Sequence, residues 1–478
     1  MNTQQAYQSP FSQRYASQQM QGLFSEQHRI GLWRRLWLWL AQGQKALGLD
    51  IGDAQLAQME AELDHIDFEA AGVYEKALRH DVMAHVHAFG DACPLARPII
   101  HLGATSCYVG DNADIMILKE AMQLVRARLV AVARALYAFA DLHKALPCLG
   151  YTHFQPAQPV TVGKRATIWL QDVLSDLEQV SDYIDTLRPL GSKGTTGTQA
   201  SFLALFEGDY DKVMQLDLLV SRSMGFDKPL AVSGQTYSRK VDSRALNLLA
   251  QIGQSAHKFS NDVRLLAHLK EVEEPFETTQ IGSSAMAYKR NPMRCERMAA
   301  LSRFLIANQQ NAAMTAAEQW LERTLDDSAN RRIVLAEGFL AVDGLLMLYH
   351  NVASGLVVYP QMMRRHLMEE LPFMATENIL MDAVKQGGDR QDLHERIRVH
   401  AQAAALEVKM EGKPNDLLAR IAGDTAFMLD EEAINRTLRP EAYIGCAVMQ
   451  VEDYLQGEAG EMLGRYADIA LPQGSVSV

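Results

Sequence analysis

"DNADIMILKEAMQLVRARLVAVARALYAFADLHKAL", residues 111–146, contains neither proline nor glycine. Ile115, Leu118, Met122, Val125, Leu129, Val132, Leu136 and Phe139 succeed one another at alternating spacings of three and four. A helix returns to the same face on that rhythm, so the stretch predicts one long helix with an apolar seam for near-parallel neighbours. A second run sets Val162, Ala166, Trp169, Val173, Leu177, Val180, Ile184 and Leu187 at similar spacing, and a third Ala245, Leu249, Ile252, Ala256, Phe259, Val263 and Leu266. A fourth runs from about Asn308 to Val358. Joints rich in Gly, Pro and Thr separate them: "LPCLGYTHFQPAQPV", "RPLGSKGTTGTQASF" and "AVSGQTYSRK". No alternating strand pattern of useful length appears. The expected fold is all-α with a central bundle of long helices.

Two boundaries follow. One lies near "IIHLGATSCYVGDNAD", before the first long helix, and the other near "GLVVYP", where Pro360 stops the fourth. They predict an N-terminal helical domain over 1–105, a central bundle over 106–358 and a C-terminal helical domain over 359–478. Helices this long bury one stripe within a subunit, and the remaining apolar surface predicts a homo-oligomer.

With 478 residues, 48% of them hydrophobic and 22% charged, the composition is that of a soluble globular protein. The net charge of -12 argues against nucleic acid as a partner, since phosphate backbones favour a basic face. It leaves room for a small anion held by local cations. Five widely spaced cysteines without a CxxC predict reduced thiols in a reducing, cytoplasmic compartment and no zinc site. The polar N-terminus lacks a signal-peptide core, and Glu337, Asp343 and His350 break the most apolar stretch, so no membrane partner is expected. "GLWRRLWLWL" (31–40) reads as a core helix with aromatic anchors, or else as an interfacial membrane helix.

Chemistry is expected at the joints, where rigid helices position loop residues. "IGSSAMAYKRNPMRCER" (281–297) gathers Lys289, Arg290, Arg294 and Arg297 beside Ser283 and Ser284, either as a surface charge run or as an anion-gripping loop with a catalytic oxygen. "RHDVMAHVH" holds Arg79, His80 and Asp81, an anion grip or a plain helix start; His85 and His87 point to different faces and make a poor metal pair. Thr105 and Ser106 stand before the first long helix, where hydroxyls and free N–H groups suit a phosphate or carboxylate, with Asp111 and Asn112 as rival caps. "GYTHFQPAQPV" puts Thr152 and His153 in a loop held by Pro156 and Pro159, and a loop histidine serves as acid, base or polar surface. "GSKGTTGTQASF" lacks the Walker spacing, which disfavours a nucleotide triphosphatase; Lys193, Thr195, Thr198, Gln199 and Ser201 remain polar ligand candidates. "ERTLDDSANRRI" supplies Arg323, Ser328, Arg331 and Arg332, a phosphate fork or a solvated face.

"GSSAMAYKRNP" resembles the GSSxMPxKxNP signature loop of the fumarase/aspartase superfamily. "SQRYAS", "HLGATSCYVGDN", "GYTHFQPAQPVTVGKR", "KGTTGTQASF", "SGQTYSRKVD", "MRCERMAALSR" and "ERTLDDSANRR" resemble the adenylosuccinate lyase family within it, its animal-type branch most closely. The resemblance runs from about Ser9 to Glu395 and thins beyond. Ala287 stands where the superfamily usually has proline, and Cys295 where a serine is expected.

The resemblance implies three mostly helical domains, a twenty-helix core in a homotetramer, and active sites each shared by three subunits. It implies small-molecule nucleotide substrates and β-elimination of fumarate, from adenylosuccinate to AMP and from SAICAR to AICAR, with no metal or redox cofactor. By position, Ser283 becomes the general base and His153 the general acid, with His80 also a plausible acid. Lys289 and loop N–H groups stabilise the serine oxygen, Lys289 and Asn291 engage the succinyl carboxylates, and Glu296 orients His153. Arg14, Tyr15, Arg79, Asp81, Thr105, Ser106, Thr152, Gln235, Arg297, Arg323, Ser328 and Arg332 hold phosphate, ribose, base and carboxylates. Arg290 and Arg294 are left as solvated or subunit-bridging charges. The rivals are a sibling such as argininosuccinate lyase or fumarase, and a catalytically silent helical scaffold.

Overall fold

The computed structural model describes residues 5–277, 280–281, 283–429, 432, 434 and 438–472. Near the N-terminus, α1 (Glu26–Ala46) buries Leu32, Trp33, Leu36, Trp37, Leu38 and Leu40 inside the chain. That face of "GLWRRLWLWL" is a core face, and it is spent on packing. Two shorter helices follow, α2 (Phe68–Leu78) and α3 (Asp81–Ala92). The opening seam becomes α4 (Ser106–Leu142), 37 residues and so about 55 Å long. Ile115, Leu118, Met122, Val125, Leu129, Val132 and Leu136 are all buried, as the three-and-four rhythm requires.

The joint after α4 differs from expectation. It is an antiparallel hairpin of β1 (Pro147–Thr152) and β2 (Gln155–Thr161), with a register irregularity between Leu149 and Tyr151. Pro156 and Pro159 lie within β2, and proline is tolerated on strands without a second neighbour, so alternation was masked at the sequence level. The chain then enters α5 (Val162–Thr186). Gly163 makes that return possible, because a Cβ there would lie 2.3 Å from the Ala140 carbonyl oxygen of α4.

The third seam is α6 (Lys240–His268). The fourth is two helices, α7 (Met293–Ala317) and α8 (Asp327–Gly355), separated by a break at 318–326. No glycine or proline marks that break. Leu321 takes a left-handed φ of 49°, and the Thr324 hydroxyl accepts from the Asp326 N–H at 3.4 Å. Helices α6 and α7 pack together, α4 packs on α5, and α8 closes against α4, α6 and α7. α8 is long and apolar enough to cross a membrane, yet 72% of its most apolar window is buried within the chain.

One large hydrophobic cluster joins α1, the long helices and the segment around Val451, Leu455 and Ala459. A second gathers Ile379, Leu393, Ile397, Leu417, Ile421 and Phe427 from α9 (Thr376–Lys385), α10 (Arg390–Glu411) and their followers. The architecture is thus an all-α bundle of long helices, with a small hairpin and a two-residue antiparallel pairing of Val272–Glu273 with Val357–Val358. Charge is placed inside it with partners: Asp343 of α8, fully buried, pairs with Arg128 of α4 and accepts from the Ser17 N–H at 2.6 Å. That contact ties the N-terminal segment to the bundle.

Candidate active site

A cavity of about 250 Å3 opens where α1, α3, α4 and α8 converge. Two helices begin at it, α4 with Ser106 and α8 with Ser328 in its first turn. First-turn N–H groups lack intrahelical partners and favour an anion. Thr105 occupies the cap position of α4, yet its side chain makes no capping bond. The rival caps are a correction: Asp111 and Asn112 lie inside the helix and are buried. Asn112 exchanges two hydrogen bonds with the Gly191 backbone.

The cavity floor is a network of buried charges. Arg239 donates to Asp111 Oδ2 at 2.9 Å and to Asp327 Oδ2 at 2.6 Å. Arg331 donates to Asp242 Oδ2 at 2.6 Å and Asp114 Oδ2 at 2.8 Å, so it is no solvated face. Arg323 donates to Asp327 Oδ1 at 2.8 Å. Burial pushes the Asp111 carboxyl above its ordinary value against the pull of Arg239 and Arg331. Burial pushes Asp327 up as well, but Arg239 and Arg323 together hold it below its ordinary value. At the rim, Arg332 pairs with Asp81 at 3.0 Å.

Five expected residues therefore line one cavity: Asp81, Ser106, Arg323, Ser328 and Arg332. His80 caps α3, its Nδ1 accepting from the Met83 N–H at 3.3 Å, and Arg79 ends α2 in a left-handed conformation with φ 56°. Gln235 ties three parts of the site together. Its Oε1 accepts from the Cys107 thiol at 3.3 Å, its Nε2 donates to the Thr195 carbonyl at 3.1 Å, and its backbone N–H donates to Glu322. In the neighbouring glycine-rich loop Lys193 is corrected from ligand to strut, since it is buried against Asp217. Gln199 likewise donates to the Ser192 carbonyl at 2.9 Å.

The other expected residues form separate groups. Arg14 and Tyr15 sit in a helical turn beside α8, and the Arg297 guanidinium lies 5.9 Å from the Tyr15 ring centre. Thr152 ends β1, and His153 and Phe154 form the two-residue hairpin turn, with φ of 52° and 56°. Left-handed residues at both positions are the turn geometry that Asn-Gly normally supplies, so this turn carries strain at a candidate acid. The Ser283 hydroxyl oxygen accepts from the Ala285 N–H at 3.3 Å and the Met286 N–H at 3.1 Å. Gly282, just before it, lies outside the described residues. Lys289 is exposed in the same loop, Asn291 precedes Pro292, and Glu296 stands in the first turn of α7.

Among the described residues His153 and Glu296 make no hydrogen bond or ion pair with each other. One sits on the hairpin turn and the other at the start of α7. Arg294 is a further correction, being no solvated charge. Its side chain is 9% exposed, pairs with Glu277 at 3.0 Å and donates to the Pro275 carbonyl at 2.9 Å. Glu274 completes this clamp by accepting from the Arg294 and Cys295 N–H groups at 3.0 and 2.9 Å.

Sequence reasoning missed Asp111, Asp114, Arg239, Asp242 and Asp327, the partners beneath the cavity. One signal was present: Asp111 lies four and seven residues before Ile115 and Leu118, on the buried stripe itself.

The chain matches a family model described as "Lyase" over residues 77–305 and another described as "Adenylosuccinate lyase C-terminus" over residues 372–454. It is 47% identical to an adenylosuccinate lyase of Schistosoma mansoni across 100% of both chains. It is 51% identical to that of Saccharomyces cerevisiae across 96% of this chain and 95% of the other. In fold it is similar to 3-carboxy-cis,cis-muconate lactonizing enzyme from Pseudomonas putida, with a TM-score of 0.80 at 23% identity over 96% of this chain and 100% of the other. The fold and these relatives define the class as a lyase of the fumarase/aspartase superfamily. Within that class the chain belongs to the adenylosuccinate lyase family.

Proposed function

We propose that the chain cleaves adenylosuccinate to AMP and fumarate, and SAICAR to AICAR and fumarate, as a step of purine nucleotide biosynthesis. The observation that carries this is the cavity where Ser106, Ser328, Arg323 and Arg332 meet at two helix N-termini, an arrangement suited to a nucleotide phosphate. A substrate bearing no phosphate would leave this end of the site idle.

β-Elimination needs a base for a weakly acidic Cβ proton, donors for the carboxylate as negative charge grows on it, and an acid for the departing nitrogen. In this reading Ser283 takes the proton, and the N–H groups of Ala285 and Met286 stabilise its oxygen as it ionises. Lys289 and Asn291 hold the succinyl carboxylates. His153 protonates the leaving nitrogen, with Glu296 orienting its ring and His80 assisting binding beside Arg79 and Asp81. Tyr15, Arg14 and Arg297 complete the grip on the nucleotide. These groups stand on different elements of one chain, which supports an oligomer, in this reading a homotetramer, in which copies complete each other's sites.

Three domains, over 1–105, 106–358 and 359–478, and a cytoplasmic location belong to the same reading. An animal-type placement is its finest part; the flatworm and yeast relatives, at 47% and 51%, do not separate animal from fungal branches.

The test is ultraviolet absorbance with adenylosuccinate, argininosuccinate and malate as separate substrates. Turnover of adenylosuccinate alone is expected. Turnover of argininosuccinate would overturn the substrate choice, and silence with all would favour a scaffold. Ser283→Ala and His153→Ala should each lower turnover by about two orders of magnitude or more while leaving the oligomer intact.

A further inference from the structure

Five arginines line the cavity: Arg29, Arg239, Arg323, Arg331 and Arg332. Four of them are already matched. Arg239, Arg323, Arg331 and Arg332 are tied to Asp111, Asp327, Asp114, Asp242 and Asp81 at 3.0 Å or less. Four guanidiniums thus meet four carboxylates of the lining, with Asp242 behind them on Arg331, so this wall carries no net positive charge. A phosphate monoester, itself close to doubly charged at neutral pH, gains little net attraction from such a balanced wall and is held more firmly where a further cation faces the cavity.

Arg29 is that cation. It comes from α1 and lines the same cavity, with Phe24, Trp33 and Val82 among the other lining side chains. Its nearest carboxylate, Glu26, is 3.8 Å away and 75% exposed, a weak and screened partner. Its Nε is buried and, among the described residues, has no hydrogen-bond partner. The side chain is 33% exposed overall, but a buried donor without an acceptor is costly, and a ligand oxygen in the cavity would remove that cost. The two helix N-termini at the same cavity favour a dianion over a single carboxylate.

We infer that Arg29 is a phosphate-binding residue of the nucleotide site, supplying the uncompensated positive charge that the matched arginines do not. The inference rests on the proposed function and adds to it a residue from the N-terminal helix. AMP and adenosine, which differ by the phosphate alone, separate the possibilities. Their inhibition constants against adenylosuccinate cleavage should be measured in the full-length wild type, Arg29→Met and Arg29→Lys, with thermal midpoints alongside. Arg29→Met should weaken AMP by at least tenfold and raise the KM for adenylosuccinate by a similar factor, while adenosine changes by less than twofold. Arg29→Lys should recover part of the AMP affinity. Should Arg29→Met fail to fold, Arg29→Gln carries the same expectation. Equal weakening of AMP and adenosine, or no weakening of either, would make Arg29 a packing residue and overturn the inference. A wild type that neither cleaves adenylosuccinate nor binds AMP would overturn the functional reading together with the inference. Normal wild-type cleavage with an unchanged AMP-to-adenosine ratio in Arg29→Met would overturn the inference alone.

Discussion

At the scale of single residues, the oxygen of Ser283 is the informative atom. An ordinary serine hydroxyl is a poor base because its ionised form is unstable in water. Here two backbone N–H groups, from Ala285 and Met286, point at that oxygen before any substrate arrives. Donors aimed at developing charge are worth about 10²–10³ in turnover when one is removed. Met286→Pro deletes the donor at 3.1 Å and should lower kcat by about 10² with KM within a few-fold. Ala287→Pro is the matched control. The Ala287 N–H donates to nothing among the described residues, so the added ring removes no hydrogen bond. It should leave kcat within a few-fold and raise stability by at most about 1 kcal/mol. Equal kcat losses in both variants would show that the ring, and not the missing donor, is responsible. The loop was legible as a candidate from its spelling, but which N–H groups point at the serine oxygen was not. That depends on turn geometry, which the motif permits without dictating. The same limit hid Arg294, whose charge reads as surface until Glu277 and the Pro275 carbonyl are placed beside it.

At the scale of elements, the seams of α4, α5 and α6 were legible because burial on one face follows directly from spacing. The break between α7 and α8 was not, since "EQWLERTLDD" contains no residue that forbids helix. The hairpin was hidden for the opposite reason, its prolines reading as loop. A polar intruder on a seam is also an element-scale matter. Asp176 lies in α5 on the buried side, and its Oδ2 has no partner among the described residues. Burial pushes its carboxyl up to about 7, with the Ser255 hydroxyl opposing and Asp172 adding to the rise. The folded chain therefore keeps a proton that the unfolded chain has lost between about pH 4 and 7. Stability from this group is full below about pH 4, declines as pH rises through 7 and is flat above. Asp176→Asn removes that dependence. Its thermal midpoint should gain on the wild type more at pH 8 than at pH 5, with a ceiling of about 4 kcal/mol for the full span. The same difference at both pH values would mean that Asp176 is ionised in the fold throughout.

At the scale of the whole molecule, the long helices do two jobs. They bury a seam within the chain, and the candidate site residues stand on different elements around them. The cavity group sits at the starts of α4 and α8, Thr152 and His153 on the hairpin turn, and Ser283, Lys289, Asn291 and Glu296 around the start of α7. Each group was legible as a motif, yet no sequence pattern says which motifs meet in space. In a symmetric assembly the same surface recurs on every copy, so a residue idle in one site completes another. If Ser283 and His153 of one working site come from different chains, two dead variants can repair each other. Ser283→Ala and His153→Ala, unfolded together in equal amounts and reassembled, would place an intact serine and an intact histidine together in about a quarter of sites. Activity should return to about a quarter of the wild-type value, and only after subunits exchange. Mixing the intact oligomers without exchange should give none. If the reassembled mixture stays inactive while wild type treated in the same way recovers, both residues serve a site within a single chain.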